Sequence, residues 1–186
     1  QFIESTTAGN QDITVGFQPE LVFFSSDMDI QDPPSSGVNG GIMFGIATGA
    51  GNPADYVWAG ASDDGVATMQ TVSYNLAGES IAILANDALS FIARAEVDAW
   101  LSTGFSLDWK ESTTNGNRIQ YLAIDGGQWA VGDVLTAVNT ANFAETGVGF
   151  QPVGALFVSH DRAQSTADTP DNDDQWSMGA ATGASN

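Results

Sequence analysis

Carboxylates are the groups in this sequence best placed to do chemistry. Asp27, Asp29 and Asp32 follow one another closely, and Asp161, Asp168, Asp171, Asp173 and Asp174 crowd a second stretch with Asn172 among them. Hard oxygen ligands of this kind, with backbone carbonyls beside them, suit Ca²⁺ in six- to eightfold coordination. Calcium is therefore the one cofactor for which the chain offers ligands: Asp27, Asp29 and Asp32 from one stretch, Asp171, Asp173 and Asp174 from the other. The competing reading is a solvated acidic loop, because neither stretch carries the spaced glycine and terminal Glu of an EF-hand.

Other constellations dissolve on inspection. His160 stands between Ser159 and Asp161, but a catalytic triad needs side chains converging from separate places, and consecutive residues diverge. No G-x-S-x-G elbow supports a serine nucleophile. Asp63 and Asp64, followed by Gly65, would point to opposite faces of a strand, so a turn is the better reading than a glycosidase acid pair. With no Cys and a single His, thiolate metal sites, disulfides and H-E-x-x-H zinc helices cannot be built. No catalytic residue emerges, and the expectation is a protein that is not an enzyme. Five Trp could stack on sugar rings or on a protein partner. Trp109 alternates with Phe105 and Leu107 and is expected in the core. Trp58 and Trp129 lie near turn residues and are the candidates for a ligand or interface role.

Charge narrows the partners. Among 186 residues, 23 are acidic and four basic (Arg94, Lys110, Arg118, Arg162), for a formal net charge of −19. Phosphate backbones need clustered Lys and Arg, so nucleic acid is not an expected partner, and neither is an anionic membrane surface. No apolar run approaches the roughly 18 residues of a membrane span. Ten Phe, five Trp and three Tyr supply enough large apolar surface for a folded core despite the charge. Gln1 in place of Met implies that the numbering begins inside a longer product.

The elements that must position these residues are strands, and the chain repeats itself. Val15-Gly16-Phe17-Gln18-Pro19 returns as Val148-Gly149-Phe150-Gln151-Pro152, a shift of 133. One inserted residue then makes the shift 134, pairing Phe23 with Phe157, Ser25 with Ser159 and Asp27 with Asp161. The same shift matches Gly45-Ile46-Ala47-Thr48-Gly49-Ala50-Gly51-Asn52 to Gly179-Ala180-Ala181-Thr182-Gly183-Ala184-Ser185-Asn186. Residues 1–134 thus read as one full unit, and residues 135–186 as the first part of a second, either incomplete or completed by downstream residues, by another chain or by packing back on the first unit. Period-2 alternation with Gly, Asn and Asp turns predicts an all-β, antiparallel β-sandwich of jelly-roll-like type. Strands are expected at Gln1–Thr6, Asp12–Val15, Leu21–Ser25, Gly41–Ala47, Tyr56–Ala59, Val66–Tyr74, Ser80–Leu84, Phe91–Leu101, Gly104–Lys110 and Arg118–Ile124. A helix competes only at Phe91–Leu101, where alanines weaken the strand pattern. Phe17 and Phe150 are expected as equivalent buried plugs.

Two resemblances follow from these residues. Thr103-Gly104-Phe105-Ser106-Leu107-Asp108-Trp109, followed by Ile119-Gln120-Tyr121-Leu122-Ala123-Ile124-Asp125-Gly126, resembles the closing strands of H-type lectin domains and of similar domains in phage tail fibres, with Asp125 where that pattern has Gly. The whole unit, from Gly16-Phe17-Gln18-Pro19 through Ala47-Thr48-Gly49 to Tyr121-Leu122-Ala123, looks like a repeat domain of structural proteins in tailed phages. That resemblance implies a structural and assembly role on the outside of a particle, as a virion decoration, capsid-associated or tail-fibre component at the virion surface. The implied partners are further copies of the chain or other virion structural proteins. The alternative is a secreted or cell-surface adhesin or carbohydrate-binding module, extracellular and calcium-dependent, with a glycan as partner.

Overall fold

Alternating side chains set the strands. The computed structural model describes residues 1–27, 40–49, 54–63, 70–85, 90–114, 116–134, 146–160 and 176–183. The fold is all-β, and no helix occurs among these residues. One sheet has six strands in the order β1 (Phe2–Ile3), β10 (Arg118–Ile124), β3 (Leu21–Asp27), β4 (Gly40–Thr48), β5 (Ala54–Asp63), β6 (Gln70–Ala77). A second sheet has four, in the order β2 (Gly9–Thr14), β9 (Gly104–Glu111), β8 (Phe91–Leu101), β7 (Ile81–Leu84). Every pairing is antiparallel.

The two sheets close face to face as a sandwich. At the rim, β1 pairs with β10 in one sheet and β2 with β9 in the other. Between them lie a four-strand meander, β3 to β6, and a three-strand meander, β7 to β9. Val22, Phe24, Met43, Val57 and Tyr74 face Ile81, Ile83, Phe105, Leu107 and Trp109 across the core. Each such fully buried side chain contributes about 1.5–3 kcal/mol relative to exposure. Phe24 meets the edge of Phe105 at a centroid distance of 5.6 Å, and Phe105 that of Tyr121 at 5.8 Å.

Two of the three alanines of β8 fall at inward positions. Ala93 and Ala95 are fully buried, so the small side chains that favoured a helix are the ones the core accommodates beneath the facing sheet. Trp109 is in the core as expected, its indole N–H donating to Gln11 Oε1 at 2.8 Å. Gly16 and Gly149 both hold positive φ, 94° and 78°, which explains why the turn block is reused with its glycine. Phe17 and Phe150 are only half-buried, however, because each sits in that turn and not in a strand facing the core.

The second unit contributes β11 (Gly154–His160) and β12 (Trp176–Thr182), paired only with each other among the described residues. Their register corrects the repeat alignment. Gly179 lies opposite Phe157, as Gly45 lies opposite Phe24. The hydrogen bond from Gly183 N to Val153 O repeats that from Gly49 N to Glu20 O. The shift of 133 therefore runs without a gap through β11, pairing Phe157 with Phe24, Ser159 with Ser26 and His160 with Asp27. The additional residue belongs between β11 and β12, where an insertion disturbs no ladder.

Candidate functional site

Two places on the molecule have features that packing alone does not use. The first is the hairpin β11–β12. Strand alternation puts Ala155, Phe157 and Ser159 on one face with Ser177, Gly179 and Ala181, and Leu156 and Val158 on the other with Met178 and Ala180. Leu156, Phe157 and Met178 are all about half exposed, at 54%, 51% and 47%. In the equivalent hairpin β3–β4, Phe24, the counterpart of Phe157, is buried, and Phe23 and Phe44, the counterparts of Leu156 and Met178, are partly buried. Both faces of β11–β12 thus carry large apolar side chains into solvent. Exposed, flat, apolar strands with open edges are adhesive by construction.

The second is an open groove of about 390 Å³ lined by Thr48, Ala54, Asp55, Tyr56, Gly78, Glu96, Val97 and Trp100. β4, β5, β8 and the turn after β6 bring these residues together. The Trp100 ring lies on Gly49, where a Cβ would sit 2.5 Å from the indole, and the Trp100 carbonyl accepts a hydrogen bond from Gln18 Nε2 at 2.9 Å. Asp55 reaches across from one sheet to the other, its Oδ2 accepting the Val97 N–H at 2.7 Å. That amide precedes a bulge in β8, since Val97 pairs with Leu107 and Ala99 with Ser106, leaving Asp98 as the extra residue. Asp98 accepts from Asn10 Nδ2 at 3.0 Å. Burial pushes Asp55 up to about 6, the Val97 N–H opposing and nearby Glu96 adding to the shift.

Glu96 is itself held by Lys110 at 2.7 Å, and Lys110 also bonds Asp108. The groove therefore sets one protonatable carboxyl beside one neutralised carboxylate, with Trp100 and Tyr56 close by. Such a set can hydrogen-bond and stack on a polyhydroxyl ligand. A neighbouring cluster on the same sheet holds Arg94 between Glu111 at 2.5 Å and Glu79 at 3.0 Å, with Phe91 beneath the guanidinium. Glu111 raises Arg94 most, whereas burial lifts Glu79 in spite of Arg94. Glu111 is the stronger partner, because its contact is shorter and Glu79 carries the larger desolvation.

Among the candidates from sequence, Asp27 ends β3 and is exposed. Asp29, Asp32, Asp171, Asp173 and Asp174 lie outside the described residues, and among those described no three His, Asp or Glu side chains gather. Trp58 is not a surface aromatic. It is 6% exposed and stacks on Phe44 at 6.1 Å, on the sheet face opposite Val57 and Ala59. The strand expected at Tyr56–Ala59 runs on to Asp63, so the turn residues that made Trp58 a surface candidate lie farther from it. Trp129 is partly buried against the turn after β10, its N–H donating to Gly126 O at 2.9 Å. Asp64 and Gly65 lie outside the described residues, as does Asp161.

Asp55, Glu96 and Trp100 were not singled out by sequence, and only Gly49, a glycine reserved for a ring, hints at the groove. No family model matches this chain, and no curated protein or solved structure is similar to it.

Proposed function

We propose that the chain is a non-enzymatic structural and assembly protein displayed on a particle surface, of the virion decoration, capsid-associated or tail-fibre kind. The observation that carries this reading is the hairpin β11–β12, a paired and in-register sheet with apolar side chains exposed on both faces. A surface of that sort serves association, and the acidic remainder of the molecule keeps the rest of it apart from its neighbours. The particle is suggested by the sequence motifs alone, Gly16-Phe17-Gln18-Pro19 and its return as Gly149-Phe150-Gln151-Pro152, through the resemblance drawn from them. Electron microscopy of the native source tests it. Density for the chain on a capsid, tail or filament is the expected result, and dispersed single molecules would overturn it.

A second reading, an extracellular adhesin or carbohydrate-binding module, draws on the groove beside Trp100. A glycan array with the intact chain distinguishes it: sugar binding at millimolar affinity or better, abolished by Trp100→Ala, favours the module. Calcium titration with thermal melting tests the loop carboxylates, and an unchanged melting temperature at millimolar Ca²⁺ removes the cation from either reading.

A further inference from the structure

The hairpin β11–β12 repeats β3–β4 down to residues whose reasons are visible only in the first copy. Gly45 is glycine because the backbone of Ser80, at the entrance to β7, crosses directly over it. A Cβ at Gly45 would lie 1.7 Å from the Ser80 carbonyl oxygen. Gly49 is glycine because the Trp100 ring of β8 rests on it. Ser26 Oγ donates to the Arg118 carbonyl of β10 at 3.0 Å. Three positions of β3–β4 and its closing turn are thus shaped by three other strands of the sandwich.

All three recur, as Gly179, Gly183 and Ser159, at the same register. Their partners do not. A Cβ on Gly179 would meet nothing within 4 Å, and its φ lies outside the left-handed region, so neither space nor backbone asks for glycine there. Gly183 faces the Pro152 carbonyl where Gly49 faces a ring. Ser159 Oγ rests against Ser177 Oγ at 2.7 Å in place of a neighbouring strand's carbonyl. A glycine inside a strand weakens it and marks close approach of another backbone. Gly179 keeps the glycine without the crossing backbone that accounts for it at Gly45.

We propose that β11–β12 is the receiving part of a second sandwich. Its occupant is a polypeptide segment of the same repeat type carrying equivalents of β5 to β10, with a β7-like strand crossing Gly179. This rests on the assembly reading above and names the partner of that surface. A second copy of residues 1–186 is not the occupant. Each copy brings two hairpins of this kind and one set of β5 to β10, already seated on its own β3–β4. Copies packed on copies would leave one hairpin per chain uncovered.

The test extends the full chain. Asn186 aligns with Asn52, so residues 53–134 fused after Asn186 supply β5 to β10 in native order. Amide hydrogen exchange of residues 155–159 and 177–181 is compared with and without the extension, with the β3 and β4 amides reporting that the first sandwich is intact. Exchange is expected to slow by about a hundredfold or more on extension, as amides pass from an open hairpin into a packed core. Gly179→Val should abolish that protection in the extended chain and change nothing in residues 1–186 alone. Three results would each overturn the proposal. They are unchanged exchange in the extended chain, protection that survives Gly179→Val, or a dimer of residues 1–186 in sedimentation whose β11–β12 amides are already protected. None of these readouts involves a particle, so a chain found dispersed at its source would sink the assembly reading while leaving this result to stand separately.

Discussion

The hairpins β3–β4 and β11–β12 have the same pairing and share the inward residues Phe24 and Phe157, Ser26 and Ser159, Gly45 and Gly179, and Ala47 and Ala181, yet one is the centre of a sandwich and the other stands in solvent. Strand pairing and register are thus properties of the local sequence, set by alternation and by the turn that precedes them. Burial is not. Phe24 is buried because Phe105 arrives from a strand some eighty residues downstream, whereas nothing among the described residues arrives at Phe157. A strand pair is a half-finished object whose energetics are decided by what lands on it.

Substitutions can break or sharpen that contrast. Gly45→Val carries the largest effect, since its side chain would occupy the Ser80 backbone. The cost should exceed about 4 kcal/mol in urea unfolding, where Gly179→Val leaves the midpoint unchanged. Phe24→Ala should cost about 3–5 kcal/mol and Phe157→Ala under about 0.5, measured in the same way. Equal costs at either pair would mean that the second hairpin is already covered in solution.

Glu4 offers a further way to probe the first sandwich. Its buried carboxylate accepts hydrogen bonds from Thr113 N at 2.6 Å, Asn117 N at 2.9 Å and Asn117 Nδ2 at 2.5 Å, tying the strand end after β1 to the β9–β10 connection. Glu4→Ala would strand those donors and should lower stability by about 2–3 kcal/mol, with Glu4→Gln recovering part of it. The second hairpin should not respond, and its exchange rates are the control.

Asp55 links the two sheets and makes the contrast pH-dependent. Its folded pKa, about 6, lies above the unfolded 3.8, so folding favours the protonated carboxyl. Stability from this group is complete below pH 3.8 and is lost as pH rises through 6. Asp55→Asn keeps an oxygen for the Val97 N–H and removes the titration. It should stabilise the protein by about 2 kcal/mol at pH 8 and by little at pH 4, read from urea midpoints across that range. Phe17→Ala carries the smallest of these effects, about 1–2 kcal/mol, because the ring is only half-buried.

Much of the fold was legible in the residues. Phe105, Leu107 and Trp109 announce β9 by alternation, and the repeat announces β11 and β12. The offset within the repeat was misplaced by one residue because adjacent phenylalanines, Phe23 and Phe24, both match Phe157 by type. Only cross-strand pairing to a glycine separates them. The groove was not legible. Asp55 follows Asn52-Pro53-Ala54 and reads as turn chemistry, and nothing local tells that a bulge in β8 will offer it an amide. Trp58 failed for the converse reason: turn residues near it in sequence say little about how far a strand extends.

The clasping of Arg94 and Lys110, each between two carboxylates, has a consequence for how the protein answers to salt. These side chains remain partly exposed, so the bridges contribute little and weaken as ions shorten the Debye length. Screening acts more strongly on the other side. A net charge of −19 spread over one chain repels itself at every separation within reach, and added electrolyte relaxes all of those repulsions together. The melting temperature should therefore climb with sodium chloride even as its ion pairs fade.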